Sequence, residues 1–332
     1  MTKLARVATQ KKMLALLITL GFGGAFLALL PLFSGPYYIH IFILVFLNAT
    51  LASGYRLLYV TGLGSFCHIT LFGMGAYAAA LLATRLGVPF GFCFLAAGLV
   101  PAIAAALLAW PAVRAKGPYF FIISFGFWVV MDAVFRRWGS LTGGIRGVPN
   151  IPPIMGIKSV EFYYYISLVF AAVVILILYR IAKSRFGKEL EAIGDSDDLA
   201  ESIGINVVRY RILAFAIGAL FAGFAGSIYA SHIRYISPFS FGLWPTVYIL
   251  IWCVVGGERR AWGPVVGAVA LTLISELLRM SGSVQAILYS IVLLVVIMTM
   301  PHGLVGLVDT LRTKLKRYRT NNRDKKLEIG PT

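Results

Sequence analysis

Four strongly polar side chains stand inside long apolar runs: Asn48, His68, Asp132 and Glu276. Such groups are costly away from water and tend to face a protein interior or a polar path. A carboxylate or a histidine there could carry a proton or a cation. Spacing points two of them elsewhere. Asp132 lies four residues before Arg136 and Glu276 three before Arg279, so each can close an ion pair on one helix face. His68 ends the run Gly64-Ser65-Phe66-Cys67-His68, with Gly73 and Gly75 just beyond. The bland reading is a hydrogen-bonded packing histidine. The sharper one is a solute contact, made by the ring or by unwound backbone whose free N–H groups can meet a carboxylate.

Covalent chemistry finds no support in the sequence. It contains no Gly-x-x-x-x-Gly-Lys-Ser/Thr phosphate loop, so the chain is not expected to hydrolyse ATP itself. His-Glu-x-x-His, Cys-x-x-Cys and Gly-x-Ser-x-Gly are also missing. Cys67, Cys93 and Cys253 lie in apolar runs without metal-ligand spacing, which predicts buried free thiols, no metal and no cofactor of the chain's own. A membrane-embedded enzyme would need acids or histidines clustered at one face. A secondary transporter or channel, the main alternative class, would need an ion or proton site, and the sparse intramembrane acids argue against one. Asn48-Ala49-Thr50 fits a glycosylation pattern but lies within an apolar run.

The elements that must position these residues follow from composition. Of 332 residues, 59% are hydrophobic and 13% charged, against roughly 45–50% and 25% in soluble domains. That excess predicts an all-α polytopic membrane protein, because a helix crosses the hydrocarbon core with about 20 apolar residues. Ten runs qualify, near 13–33, 37–55, 63–84, 88–113, 117–135, 162–181, 210–231, 243–257, 262–279 and 284–305. The third and eighth hold Gly or Pro inside or at their edges and are candidates for broken or re-entrant helices. If two runs are re-entrant, the count falls to eight. The first run follows Lys3, Arg6, Lys11 and Lys12 like a signal peptide, but its length and the poor cleavage site at Phe33-Ser34-Gly35-Pro36 predict a retained span.

The net charge is +17. On a soluble protein that would suggest nucleic acid. Here the basic residues lie between apolar runs and in the tail, where they suit an anionic lipid surface. With residues 1–12 inside, ten spans place 23 of the 30 Lys and Arg residues inside and 7 outside, which predicts N-in and C-in. Residues 13–309 form the membrane domain and 310–332 a basic inner tail.

Two connections are long. The outer one, about 136–161, is rich in Gly and Pro. The inner one, about 182–208, holds six of the thirteen acidic residues. Lys188 to Ile193 can form a short helix after a break at Gly187. Asp195-Ser196-Asp197-Asp198 reads as a second helix start and Gly204 as its end. This element is either a solvated loop or a docking surface for a soluble partner. In the run 210–231, Ala214, Gly218, Ala222, Gly226 and Ala230 recur every four residues. That stripe predicts close helix packing within the chain, with a subunit interface or a path lining as the sharper reading.

Four segments together resemble the permease subunits of branched-chain amino acid (LivM-type) ABC importers. One is Gly62-Leu63-Gly64-Ser65-Phe66-Cys67-His68 with Gly73-Met74-Gly75-Ala76-Tyr77. Another is Lys116-Gly117-Pro118-Tyr119-Phe120 with Ser140-Leu141-Thr142-Gly143-Gly144. The third runs from Gly187 to Ala230, above all Gly204-Ile205-Asn206-Val207-Val208-Arg209-Tyr210 leading to Ala222-Gly223-Phe224-Ala225-Gly226-Ser227-Ile228-Tyr229-Ala230, and the fourth is Gly256-Gly257 with Trp262-Gly263-Pro264-Val265-Val266-Gly267-Ala268. The resemblance implies a permease fold in a bacterial inner membrane. It makes the inner connection a coupling loop, with Glu191, Ala192, Ala200 and Gly204 carried over. It points to Ser65, His68, Gly73, Gly75, Thr142 and Gly143 as the candidate translocation path. It implies a second homologous permease, two cytosolic ATP-binding subunits that consume the ATP, and a periplasmic solute-binding protein. The sequence departs from the family at Phe66-Cys67, at Gly194-Asp195-Ser196 and at Glu258-Arg259-Arg260-Ala261. The solute is left open among branched-chain amino acids, urea, amides, other amino acids and aromatic acids.

Overall fold

The computed structural model describes residues 27–33, 35–115, 117–258, 260–279, 284–299 and 304. Both expected inner termini, 1–12 and 310–332, and most of the run 13–33 lie outside the described residues. Apart from one antiparallel bridge, Val148 with Ile236, the regular structure among the described residues is helical. After a helical piece at 27–33, the main helices are α1 (Pro36–Tyr59), α2 (His68–Arg85), α3 (Phe90–Ala112), α4 (Pro118–Arg137), α5 (Val160–Lys183) and α6 (Arg185–Asp195). They continue with α7 (Asp197–Ser202), α8 (Val207–Ile233), α9 (Leu243–Gly256), α10 (Gly263–Arg279) and α11 (Gln285–Thr299). Among the described residues, six segments are long and apolar enough to cross a membrane: α1, α3, α4, α5, α8 and Pro238–Gly256, which contains α9. Each of the other four apolar runs also carries helix: 27–33, α2, α10 and α11.

Burial divides the helices into a centre and a rim. In α1, 83% of the membrane-length window is buried, and in α8 61%. The figure falls to 33% in α3, 28% in α5 and 17% in α4. On α3, Leu95, Leu99, Ile103 and Leu107 stand exposed at four-residue spacing. A hydrocarbon solvent removes the penalty for that apolar stripe, and packing of small residues supplies the association instead.

The centre is built on backbone-to-backbone contact. A Cβ on Gly75 of α2 would come within 2.4 Å of the Gly223 Cα on α8, and one on Gly223 within 2.0 Å of the Ala97 carbonyl on α3. Three helices therefore meet where neither α2 nor α8 has room for a side chain. The stripe Ala214, Gly218, Ala222, Gly226 and Ala230 is buried within the chain. Gly218 approaches Gly54 of α1, and Gly226 approaches the Phe72 carbonyl of α2.

The two irregular runs resolve differently from a break inside a span. Residues 60–67 are non-helical, and from His68 α2 runs continuously through Gly73 and Gly75. In the eighth run a 3-10 turn, Pro238–Phe241, precedes α9. Pro245 falls in the first turn of α9, where its missing N–H leaves no bond unmade. Gly187 is not a break either. Ser184 caps α6, and Gly187 sits in its first turn because a Cβ there would be 2.4 Å from the Ala182 carbonyl.

Candidate coupling face and solute path

The loop after α5 folds into two capped helices. The Ser184 hydroxyl accepts from the Gly187 N–H, and the Ser196 hydroxyl from the Leu199 N–H. Gly187, Leu190 and Ile193 form the buried face of α6. Gly204 ends the element with φ +86°, a conformation that glycine adopts without strain.

Two buried arginines fasten this element to the bundle. Arg211 of α8 donates to both carboxylate oxygens of Asp197, at 2.9 and 2.8 Å, and to the Thr61 carbonyl at 2.8 Å. Arg56, near the end of α1, donates to the Glu258 carbonyl at 2.7 Å and lies 3.5 Å from the Glu191 carboxylate. A planar guanidinium suits the first, bidentate arrangement. The backbones also touch, since a Cβ on Gly194 would stand 2.0 Å from the Val60 carbonyl. A cleft of about 690 Å3 opens between α1, the turn after it, α4 and α6, with Arg56, Glu191, Asp195 and Glu258 in its wall.

The four carried-over positions divide. Glu191 and Gly204 are exposed and Ala192 is partly buried. Ala200 is 1% exposed and packs with Ile193 and Val207 inside the loop. Two residues that the resemblance did not mark, Leu199 and Ile203, stand 66% and 69% exposed. Exposed apolar side chains beside charged ones are the usual make-up of a docking surface.

The six candidate path residues do not share one surface. Ser65 and His68 are buried where α1, α2 and α8 converge. The His68 ring meets Tyr55 edge-on at 5.6 Å, and its Nε2 has no hydrogen-bond partner among the described residues. Gly73 faces the Phe241 ring and Gly75 faces Gly223. Thr142 and Gly143 lie at the opposite end of the bundle, after α4. The Thr142 hydroxyl is 2.9 Å from the carbonyls of Phe135 and Trp138. That connection is stitched to the end of α8 by Val148 N–H to the Ile236 carbonyl at 2.9 Å, and by Ile151 N–H to the Arg234 carbonyl at 3.2 Å. Asp132 binds Arg136 at 2.7 Å and Glu276 binds Arg279 at 3.2 Å, as their spacing predicts.

Sequence reasoning marked Asp197 only as part of a helix start and did not foresee the anchoring by Arg56 and Arg211. Their partners are 135 and 14 residues away. The available signal was an arginine placed one turn inside each of two apolar helices.

Residues 37–301 match the family model described as branched-chain amino acid transport system / permease component. The chain is similar to the high-affinity branched-chain amino acid transport system permease protein LivM of Salmonella typhimurium, 27% identical over 80% of this chain and 68% of that protein. It is similar to LivH of Escherichia coli, 26% identical over 78% of this chain and 91% of LivH. It also resembles the autoinducer 2 import system permease protein LsrC of Salmonella typhi, 29% identical over 46% of this chain and 48% of LsrC. No solved structure matches.

Proposed function

Because this chain belongs to the branched-chain amino acid transport permease family, we propose that it forms one half of a permease pair whose work is driven through the α6–α7 element. It is a multi-pass membrane permease subunit of an ABC importer for branched-chain amino acids or a related small polar solute. The observation that carries the drive reading is the fastening of α6 and α7 by Arg211 and Arg56, with Leu199 and Ile203 facing away from the bundle.

In this reading two ATP-binding subunits dock on α6 and α7, and a second, homologous permease completes the path. A periplasmic binding protein delivers the solute to the connection after α4. The chain crosses the inner membrane ten times, with α2, α10, α11 and the run 13–33 adding to the six long apolar segments. Both termini lie inside, as the distribution of Lys and Arg favours. Closure of the ATPases on ATP moves the coupling element, and the pair rocks between outward and inward states.

The test is reconstitution with the four partners and measurement of uptake. ATP-dependent uptake that needs every subunit is the expected result. Uptake by this chain alone, driven by an ion gradient, would overturn the reading.

A further inference from the structure

Two of the chain's four histidines, His40 and His232, stand 192 positions apart in sequence and meet in the fold. His40 lies in the second turn of α1 and His232 in the last turn of α8. The Nδ1 atom of His40 faces the Nε2 atom of His232 at 2.9 Å. The ring centroids are 5.1 Å apart and the planes are tilted by 28°. Both residues are only partly buried, so water can reach the pair. The pair lies at the end of the bundle opposite α6 and α7. Tyr163 of α5 flanks it, with its ring 5.2 Å from that of His232 and its hydroxyl accepting from the Ile154 N–H.

Two imidazoles in this relation hold one proton between them, one ring donating and the other accepting. When the donor ring carries that proton on its far nitrogen instead, both facing nitrogens present lone pairs. A tetrahedral ion with bonds of about 2.0–2.1 Å to imidazole needs nitrogens about 3.3 Å apart, so the pair need open by only about 0.4 Å. No proton is lost in the exchange. Among the described residues no group of three His, Cys, Asp or Glu side chains gathers around one point. Water must therefore complete the shell, which makes the site open and exchangeable rather than a closed structural centre. The surrounding field is mixed, because Glu276 acts on His40 while Arg279 and Arg234 oppose it. The bonds to nitrogen must supply the affinity.

We propose that His40 and His232 together bind a transition-metal ion of the Zn2+, Ni2+ and Cu2+ class, and that the bound ion ties the start of α1 to the end of α8. Imidazole suits these ions, whereas Mg2+ and Ca2+ take oxygen ligands. The site depends on these two rings and not on the transport reading.

The experiment uses the full chain, purified on a tag without histidine, stripped with EDTA and held in lipid nanodiscs. Zn2+ is titrated in competition with a chromophoric chelator. One equivalent is expected to bind saturably, and excess Mg2+ or Ca2+ should not displace it. His40→Ala and His232→Ala should each weaken binding by at least about tenfold, because loss of a ligand's supporting partner alone costs roughly 10–100-fold. His302→Ala should bind as the unaltered chain does. Thermal unfolding gives a second readout. Zn2+ should raise the midpoint of the unaltered chain and of His302→Ala, and should leave that of His40→Ala and His232→Ala unmoved. The midpoints without metal show whether each variant folds, and His40→Gln and His232→Gln take the place of an alanine variant that does not. Absence of saturable Zn2+ binding, equal displacement by Ca2+, or binding and a midpoint shift that survive in folded variants of both histidines overturns the site.

Discussion

Arg211 grips Asp197 with two parallel hydrogen bonds while both lie largely out of solvent, with side chains 5% and 20% exposed. A charge left alone at such a site is expensive, whereas removal of both partners is far less so. Asp197→Ala is therefore expected to cost about 3 kcal/mol or more, read as a lowered unfolding midpoint in detergent. Arg211→Met combined with Asp197→Ala should recover much of that loss. A double mutant no better than the single one would show that the pair does not act as a unit.

The Arg56–Glu191 contact is of a different kind. At 3.5 Å, with the glutamate side chain 50% exposed, it should contribute no more than about 1 kcal/mol. Glu191→Gln is expected to leave thermal stability nearly unchanged. Glu191→Arg places a cation beside buried Arg56 and should reduce co-purification of the ATPase subunits. Unchanged assembly and uptake would remove Glu191 from the docking role.

Gly194 and Gly204 make separable demands. A Cβ on Gly194 collides with the Val60 carbonyl, whereas around Gly204 there is space but φ is positive. Gly194→Ala should lift α6 from the end of α1 and lower ATP-driven uptake severely. Gly204→Ala should cost roughly 1 kcal/mol and retain uptake, while Gly204→Pro should lower ATPase co-purification. Hydrogen exchange across α6 and α7 distinguishes the two alanine variants.

A similar contrast tests the bundle centre. Gly223→Ala forces Cβ to within 2.0 Å of the Ala97 carbonyl and should cost on the order of 3 kcal/mol as an overpacked core position. Gly126→Ala, on the exposed side of α4 with nothing within 4 Å, should be neutral or stabilising by up to about 1 kcal/mol. Midpoints of thermal unfolding measured side by side give the comparison.

How far sequence foretells such a molecule depends on the range of the interaction. Apolar runs reveal themselves within 20 residues, so α1, α3, α4, α5 and α8 were legible with their approximate limits. The i, i+4 pair Asp132–Arg136 was legible for the same reason. Ser196, Asp197 and Gly204 marked α7 through capping and turn chemistry that is local. Arg56 was legible only as one more basic residue near a helix end. Its role depends on Glu258 and Glu191, which the chain brings back after more than a hundred residues. Gly73 and Gly75 misled toward a broken helix, because the same glycine that loosens a lone helix also permits close approach of another. Only Phe241 opposite Gly73, and Gly223 and Ala97 opposite Gly75, decide between those meanings.

The 27 residues of α8 make a shaft about 40 Å long. Arg211 fixes α7 at one end, and Arg234 and Ile236 hold the connection after α4 just past the other. Because a hydrogen-bonded helix resists compression along its axis, a shove on α6 and α7 cannot be absorbed along the way. If ATPase closure moves α6 and α7 as proposed, that displacement arrives at the far rim as tilt or translation of the same rod, without any chain of intermediate side-chain moves.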